Sequence, residues 1–187
     1  MLLTTSRLKI RNLRESDLED FHQYRSNREI IKYQGFDIFS KEQAREFIAE
    51  HKTKKDGVPG QWVQYGIEEL QTKQLVGDCA IQLHHPETGD AEIGITISPL
   101  HQRKGYAKET MRGILKFLFR KKGINRIVER VDAENMASIG LMNGLFFRQE
   151  NQVGENIFFK GKWTKEFRFV MLKEEWISLS IQDPRAQ

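Results

Sequence analysis

A strand-like run followed by a glycine-containing turn and an amphipathic helix constrains the fold more than any other segment of this chain. Residues 91–97 alternate in the manner of a half-buried strand, and Ser98 and Pro99 interrupt the run. A turn around Gly105 then lets several backbone N–H groups converge at a helix N-terminus, which binds an anion, usually a phosphate group. The pattern therefore predicts an α/β domain with an anion site. The helix is indicated by apolar residues at the spacing of one buried face, namely Ala107, Met111, Ile114, Leu115 and Leu118.

Two familiar phosphate-binding loops do not occur in the sequence. There is no Gly-x-x-x-x-Gly-Lys-Ser/Thr, and no Gly-x-Gly-x-x-Gly with an acidic residue about 20 positions later. The turn alone is also compatible with an ordinary connection between a strand and a helix. Its basic neighbours favour a ligand with several phosphates, and they are Arg103, Lys104, Lys108 and Arg112.

The remaining periodicities predict one mixed α/β domain over residues 1–177, followed by a C-terminal tail at residues 178–187. Ser40 and Gln43 have the spacing of a capping box, which indicates a helix beginning at Lys41. Besides residues 91–97, the predicted strands are residues 8–13, 62–68, 75–83, 126–131, 147–153 and 165–172. Besides the helix after Gly105, the predicted helices are residues 15–26, 41–53 and 135–145, and residues 84–89 form a predicted turn.

The composition is that of a globular domain with a proper core. The chain has 187 residues, of which 39% are hydrophobic and 30% charged, and its mean hydropathy is −0.60. No apolar run approaches the roughly 20 residues of a membrane span, and the N-terminus lacks the pattern of a secretion signal. The single cysteine, Cys79, is expected to be a small buried residue, not a nucleophile. We therefore expect a cytoplasmic protein without membrane association, and the histidine spacing predicts no metal.

The segment Gln102-Arg103-Lys104-Gly105-Tyr106-Ala107 resembles the Gln/Arg-x-x-Gly-x-Gly/Ala signature of the GNAT superfamily of acyl-CoA-dependent N-acyltransferases. The resemblance runs nearly end to end, and in detail the chain is similar to the ribosomal-protein-alanine (Rim-type) branch. Five segments match in the same order. The others are residues 5–11 with Asp17, residues 91–94, residues 135–138 with Leu141, and residues 161–163 with 174–176.

This resemblance implies a mixed, mostly antiparallel sheet of about seven strands flanked by helices, with two central strands splayed apart to receive acyl-CoA. The pyrophosphate of acetyl-CoA would lie on the backbone N–H groups of residues 103–108, and its pantetheine arm along the main chain of residues 95–97. The acetyl group would pass directly to a primary amine, and relatives often form homodimers. The implied cofactor-binding residues are Ile95, Thr96, Ile97, Gln102, Arg103, Lys104, Gly105, Tyr106, Ala107, Lys108, Asn135 and Ser138.

Glu92 is the candidate general base. By strand alternation it shares a face with Gly94 and Thr96, where it is either an exposed charge or a group facing a cleft. The resemblance favours the cleft, because the matching Glu is proposed as a general base in relatives. Only a neutral amine attacks a thioester. A lysine-type amine, with a pKa of about 10.4, is neutral roughly once in a thousand at pH 7, and a chain α-amine, with a pKa of about 7.7–8.0, roughly once in ten. A base helps both.

Asn135 and Ser138 each have two interpretations. By spacing alone, Asn135 caps a helix and Ser138 lies in its first turn. By resemblance, Asn135 contacts the pantetheine arm and Ser138 lies near the leaving thiolate as a catalytic residue. Many GNAT enzymes carry a tyrosine general acid four residues after that position, where this chain has Met142. Ser138 or water is then the candidate proton donor.

The expected activity is acetyl transfer from acetyl-CoA to a protein N-terminal α-amine, ahead of a small amine such as a polyamine, amino acid or amino sugar. Lys165 replaces an Asp that is common in the Rim-type branch, which leaves the acceptor open. A non-catalytic CoA-binding regulatory domain is an alternative from another class. The net charge of +4 also admits a nucleic-acid partner, but no basic recognition helix or aromatic stacking motif favours one.

Overall fold

One curved sheet runs through the whole molecule and carries its helices on both sides. The computed structural model describes residues 3–54, 58–84, 89–150 and 154–182. The predicted turn at residues 84–89 and the predicted tail at residues 178–187 therefore lie partly outside the described residues. The strands are β1 Leu3–Thr4, β2 Leu8–Asn12, β3 Trp62–Glu69, β4 Leu75–Leu83, β5 Asp90–Ile97, β6 Arg126–Asp132, β7 Arg148–Gln149, β8 Glu155–Phe159 and β9 Lys162–Leu172.

The sheet order is β1-β2-β3-β4-β5-β6-β9-β7, with β8 paired to β9. Every pairing is antiparallel except that of β5 with β6, so the predicted mixed, mostly antiparallel sheet is confirmed. The described residues contain nine strands, not about seven. The two-residue strands β1 and β7 are too short to show a period-two pattern. Of the strand predicted over residues 147–153, the described residues form only β7, and residues 151–153 lie outside the described part of the chain.

The sheet opens between β5 and β6. These two parallel strands pair only at their first residues, Asp90 with Arg126 and Ala91 with Ile127. Beyond Ala91 they separate, although β5 stays paired with β4 as far as Ile97 and β6 stays paired with β9 as far as Asp132. The predicted splay of two central strands is confirmed, and the gap leaves one edge of β5 free to bind another chain-like molecule.

The helices follow the sequence pattern closely where their signals are local. The predicted capping box forms, because Ser40 Oγ accepts from the Gln43 N–H at 3.2 Å and Gln43 Oε1 accepts from the Ser40 N–H at 2.8 Å. The short α2 was not predicted, and α6 continues past residue 177, with Ser180 buried. The helices are α1 Leu18–Arg25, α2 Arg28–Ile31, α3 Lys41–Thr53, α4 Tyr106–Lys121, α5 Met136–Gly144 and α6 Lys173–Gln182.

The main core lies between the sheet and α4, whose buried face carries Met111, Ile114, Leu115 and Leu118, as its spacing predicts. Cys79 on β4 is fully buried in this core, and burial raises the pKa of its thiol, which disfavours the nucleophilic thiolate. Within the described ranges, no helix is long and apolar enough to span a bilayer. The same ranges contain no group of three or more His, Cys, Asp or Glu side chains arranged to hold a metal ion.

Candidate active site

The turn before α4 presents a run of unbonded backbone N–H groups. Gly105 precedes the first helical residue with φ +83°, and Arg103 also has a left-handed backbone, at φ +62°. These two left-handed residues curl the chain so that successive N–H groups point to one side. In the described parts of the chain, no hydrogen bond is made by the backbone N–H groups of residues 103–108. The turn and the helix N-terminus therefore form an anion-binding concavity of the predicted kind.

A carboxylate on α4 fixes the turn against the N-terminal strands. Glu109 Oε1 accepts from Thr5 Oγ1 at 2.6 Å, Ser6 Oγ at 2.9 Å and the Arg7 N–H at 2.8 Å. Arg7 Nε donates to the other oxygen of Glu109 at 2.7 Å, and Arg7 Nη1 donates to the Lys104 carbonyl at 3.0 Å. Because a trans peptide directs its C=O and N–H to opposite sides, holding the Lys104 carbonyl also sets the direction of the Gly105 N–H.

Tyr106 connects the same turn to the sheet. The Arg7 guanidinium lies 4.7 Å from the centre of the Tyr106 ring, and the Tyr106 hydroxyl donates a hydrogen bond to Glu69 at the end of β3. That bond, together with one from Thr72, lowers the pKa of the Glu69 carboxyl. The turn is thus held at both sides, so its N–H groups are oriented before any ligand arrives.

Strand alternation shows which backbone groups of β5 face its free edge. The Ser98 N–H bonds to the Val76 carbonyl on β4, so by strand alternation the backbone of Thr96 also faces β4, while Ile95 and Ile97 face the splay. Gln102 Nε2 donates to the Ile97 carbonyl at 3.1 Å and occupies that acceptor. The Ile95 N–H and C=O and the Ile97 N–H are the groups best placed to pair with a pantetheine arm. The side chain of Thr96 accepts from Gln34 Nε2 at 2.7 Å.

A cleft of about 530 Å³ borders the splay between β5 and β6. It brings together residues from β5, β6 and α5 that are far apart in sequence. Its lining contains neither Ile97 nor the residues of the Gly105 turn. Five residues predicted from the sequence line the cleft, namely Glu92, Ile95, Thr96, Asn135 and Ser138. Met142, which replaces the tyrosine of many relatives, also lines it.

Glu92 lies on the cleft side of β5 with Gly94 and Thr96, as alternation predicts. Its Oε2 accepts from Arg130 Nη1 on β6 at 2.8 Å, and His84 Nε2 lies 3.6 Å from the same oxygen. The Glu92 side chain is 16% exposed. It is therefore a carboxylate in a cleft with one oxygen held by a cation.

Asn135 and Ser138 adopt the capping arrangement that their spacing predicts. Asn135 is the N-cap of α5, and its Oδ1 accepts from the Ser138 N–H at 3.1 Å. Both residues line the cleft beside Met142, which is buried. Capping uses the side-chain oxygen of Asn135 and the backbone N–H of Ser138, and so does not engage the Ser138 hydroxyl.

Glu129 on β6 is a cleft residue that the sequence reading missed. It is 6% exposed, and its Oε1 accepts from the Ile93 N–H at 2.9 Å across the splay. Burial raises the pKa of the Glu129 carboxyl well above 4.5, and the charge of Glu92 is the next largest cause. The available signal was its strand face, which it shares with the core residues Ile127 and Val131.

A buried polar network forms the other wall of the cleft. Asp78 on β4 accepts from Arg25 Nε at 3.0 Å and from the Tyr24 hydroxyl at 2.6 Å, and it also bonds to Gln64. Arg25 Nη1 donates to Gln34 Oε1 at 2.6 Å, and Gln34 in turn donates to Thr96. No local motif announces these contacts, because the partners come from separate elements.

Comparison with known proteins identifies the class. A family model described as an acetyltransferase (GNAT) domain matches residues 7–148, and the chain belongs to this family of acetyl-CoA-dependent N-acetyltransferases. An uncharacterised N-acetyltransferase, p20 of Bacillus licheniformis, is 31% identical over 93% of this chain and 97% of its own length.

Solved structures agree with the fold assignment. A GNAT acetyltransferase of Bacillus anthracis superposes with a TM-score of 0.83 at 27% identity, covering 94% of this chain and 100% of that one. A spermidine N-acetyltransferase of Vibrio cholerae, solved in complex with CoA and spermine, gives a TM-score of 0.76 at 25% identity, covering 92% of this chain and 99% of that one.

Proposed function

We propose that this N-acetyltransferase transfers the acetyl group of acetyl-CoA to an acceptor whose reacting nitrogen is, before it loses its proton, its single ammonium group, and that a protein N-terminal α-amine is the leading case. The charge balance of the cleft carries this proposal. Asp78 is paired with Arg25, and Glu92 with Arg130. Two cleft carboxyl groups, Asp132 and Glu129, have no cationic partner in the portion of the chain that the structure describes. Asp132 accepts from Thr164 Oγ1 at 2.8 Å, and Glu129 accepts from the Ile93 N–H.

Two titratable groups of the cleft, His51 and Glu129, are held in surroundings that favour their neutral forms. Burial lowers the pKa of His51 to about 4, and the charge of Lys54 is the next largest cause. Burial also raises the pKa of Glu129. The cleft therefore has one uncompensated negative charge, which matches one acceptor ammonium. A polyamine brings further ammonium groups, and each of these needs an acidic partner of its own.

We assign residues to the cofactor mainly by the backbone N–H and C=O groups that make no hydrogen bond within the described chain. The N–H groups of residues 103–108 hold the pyrophosphate, assisted by the charges of Arg103, Lys104 and Lys108. The pantetheine arm lies along Ile95 and Ile97, with Asn135 at its other side. The Ile95 N–H, which faces the open splay, is assigned to the thioester carbonyl, where it stabilises the tetrahedral oxyanion.

Glu92 is assigned as the general base. Its carboxylate lies in the cleft, where it can accept the proton that the attacking nitrogen loses. Replacing Glu92 by Gln is expected to lower turnover at pH 7 about 100-fold while leaving acetyl-CoA affinity within twofold. Glu155→Gln is the matched control, since Glu155 is an exposed β8 acid paired with Arg168. Wild-type turnover of Glu92→Gln between pH 6 and 9 would exclude the assignment.

A polyamine acceptor is the second candidate. The observation in its favour is the likeness to the Vibrio cholerae enzyme described in complex with CoA and spermine. The charge balance of the cleft opposes it, because the other carboxyl group without a cationic partner in the described lining, Glu129, has a raised pKa that favours its neutral form. The two candidates are therefore separated by the number of acceptor charges.

Thiol release from acetyl-CoA, measured over an acceptor panel, tests the proposal. The panel contains peptides with free N-termini, the same peptides N-terminally blocked but carrying a lysine, spermidine, amino acids and amino sugars. We expect kcat/KM for free N-termini to exceed that of the blocked peptides and of spermidine at least tenfold. Release with spermidine alone would replace the proposal by the polyamine activity. No release with any amine, despite CoA binding, would identify a regulatory CoA-binding domain.

A further inference from the structure

Glu129 occupies the point at which the two central strands stop pairing. The ladder between β5 and β6 ends at Ala91 and Ile127, and the next splay-facing donor along β5 is the Ile93 N–H. Glu129 Oε1 accepts that N–H at 2.9 Å, in place of a β6 carbonyl. The carboxyl group is therefore built into the closed end of the splay, at a fixed position relative to β5.

Glu129 lines the cleft together with apolar residues from three elements. They include Met111 from α4, Met142 from α5 and Val131 from β6. Within the described residues, Ile93 is the only group that hydrogen-bonds to the Glu129 carboxyl, and it uses Oε1. In its neutral form, Glu129 consequently has an O–H donor without an acceptor among the described residues.

The surroundings of Glu129 favour the neutral form of its carboxyl group and raise its pKa. The facing charges are Glu92 from β5, which opposes ionisation, and Arg130 from β6, which favours it more weakly. The helices contribute Met111 and Met142, which do not titrate, and Phe169 is the opposite residue on β9. Burial of the carboxyl is the largest effect and also favours the neutral acid.

The thioester end of acetyl-CoA is assigned to the same stretch of the splay as this donor. Splay-facing N–H groups on one strand are two residues apart, so Ile93 and Ile95 present theirs about 7 Å from each other. With its carbonyl on the Ile95 N–H, as assigned above, the thioester is next along β5 to the N–H that Glu129 holds. The tyrosine that many relatives use as general acid is replaced by Met142 in the same wall.

We propose that Glu129 is the general acid that protonates the CoA thiolate, an inference that rests on the proposed function. The amine nitrogen attacks the thioester carbon and loses its proton to the Glu92 carboxylate. The C–S bond breaks, and the sulfur takes the proton of the Glu129 O–H, which leaves Glu129 ionised. Transfer of the proton from Glu92 to Glu129 through water then restores both groups. The products are the amide and the free thiol, with no net gain or loss of protons.

Glu129→Gln tests the assignment, because Gln keeps an acceptor for the Ile93 N–H but has no transferable carboxyl proton. The single-turnover rate of C–S cleavage is measured between pH 6 and 10 with a free-N-terminus peptide. We expect a 10- to 100-fold lower rate in the variant, an acetyl-CoA KM within twofold of wild type, and loss of the alkaline limb expected of the wild-type profile. Glu155→Gln, which changes an exposed β8 acid outside the cleft lining, is the control expected to keep the wild-type rate and profile. Ser138→Ala is measured in parallel as the competing proton donor.

The possible outcomes distinguish this assignment from the proposed function. A wild-type rate in Glu129→Gln, or a lower rate with an unchanged alkaline limb, would overturn the general-acid role and leave Glu129 as a structural group. A fall in Ser138→Ala with no fall in Glu129→Gln would transfer the role to Ser138. Failure of the wild-type enzyme itself to release thiol with peptides would count against the proposed acceptor.

Discussion

His51 shows how a single side chain of the cleft makes folding depend on pH. Its Nδ1 accepts from the Gln64 backbone N–H at 3.0 Å, and its ring packs 4.3 Å from that of Phe47, measured between centres. Acceptance at Nδ1 requires the neutral ring, and burial lowers the pKa of His51 to about 4. Below its ordinary value of 6.5, the unfolded chain binds a proton that the folded chain excludes. Stability is therefore complete above pH 6.5 and is lost as pH falls toward 4.

Replacing His51 by Asn removes this titration while keeping an oxygen near the position of Nδ1. Between pH 7 and pH 5, we expect the free energy of unfolding of wild type to fall by about 2 kcal/mol more than that of His51→Asn. Urea unfolding at the two pH values measures the difference. A histidine that is only half-buried, as in His22→Asn, provides the control. Parallel pH dependence of wild type and His51→Asn would show that the ring does not stay neutral in the folded state.

Single residues were predictable from sequence when their role is local. Gly105 and Asn135 belong to short patterns in which a turn or a cap is decided by neighbours within four residues, and both occupy the expected positions. Glu129 could not be found this way. Its burial depends on the separation of β5 and β6, which is a property of the assembled sheet and not of either strand.

At the scale of elements, α1 and β4 are joined through the buried pair of Arg25 and Asp78. Both side chains are almost fully buried, at 1% and 0% exposure. The same guanidinium holds Gln34, and through it Thr96 on β5. This chain of bonds fixes the segment after α2 against the cleft, so the acceptor side of the site depends on an ion pair whose members are distant in sequence.

Removing one partner of this pair leaves an uncompensated charge in the interior. Arg25→Met is expected to lower the free energy of unfolding by about 3 to 5 kcal/mol. Adding Asp78→Asn removes that charge but keeps an acceptor for Tyr24, and we expect it to recover at least half of the loss. Urea unfolding of the two single variants and the double variant gives the coupling. Additive losses would mean that Asp78 is stabilised adequately by Tyr24 and Gln64 alone.

The element predictions succeeded where a cap or a long apolar stripe exists. α3 and β4 have the predicted bounds, and a capping box identifies the start of α3. The strand expected over residues 147–153 was too long in its described part, because only Arg148 and Gln149 of residues 147–150 form a strand. The chain there forms the two-residue β7 and then β8, both paired to the much longer β9. Short strands of this kind are stabilised by their partner, and their own sequence carries little periodic signal.

For the whole molecule, the Gly105 turn connects the N-terminal strands, the long helix and the free edge of β5. Glu109 and Arg7 hold the turn from one side, Tyr106 ties it to β3, and Gln102 ties it to Ile97. A cofactor that bridges the turn and the splay therefore contacts most of the sheet at once. CoA binding is expected to stabilise the fold as a unit and not only its site.

CoA at 100 times its Kd is expected to add about 2.7 kcal/mol to the free energy of unfolding, or about 5 to 10 °C in Tm for a chain of this size. Gly105→Val abolishes the shift, because a β-branched residue does not adopt φ +83° without moving the N–H groups. Gly123→Val is the matched control. Gly123 also has a positive φ, at +70°, but nothing lies within 4 Å of an added Cβ and it is at the far end of α4.

Both variants are expected to lower the Tm of the unliganded protein, because each places a β-branched residue in the left-handed region. Only Gly105→Val is expected to lose the CoA-dependent shift, since the Gly123 position is remote from the turn. An equal CoA shift in Gly105→Val and wild type would mean that the pyrophosphate does not use these N–H groups. Loss of the shift in both variants would mean that strain anywhere along α4 is transmitted to the site, and that the helix, more than its first turn, sets the affinity.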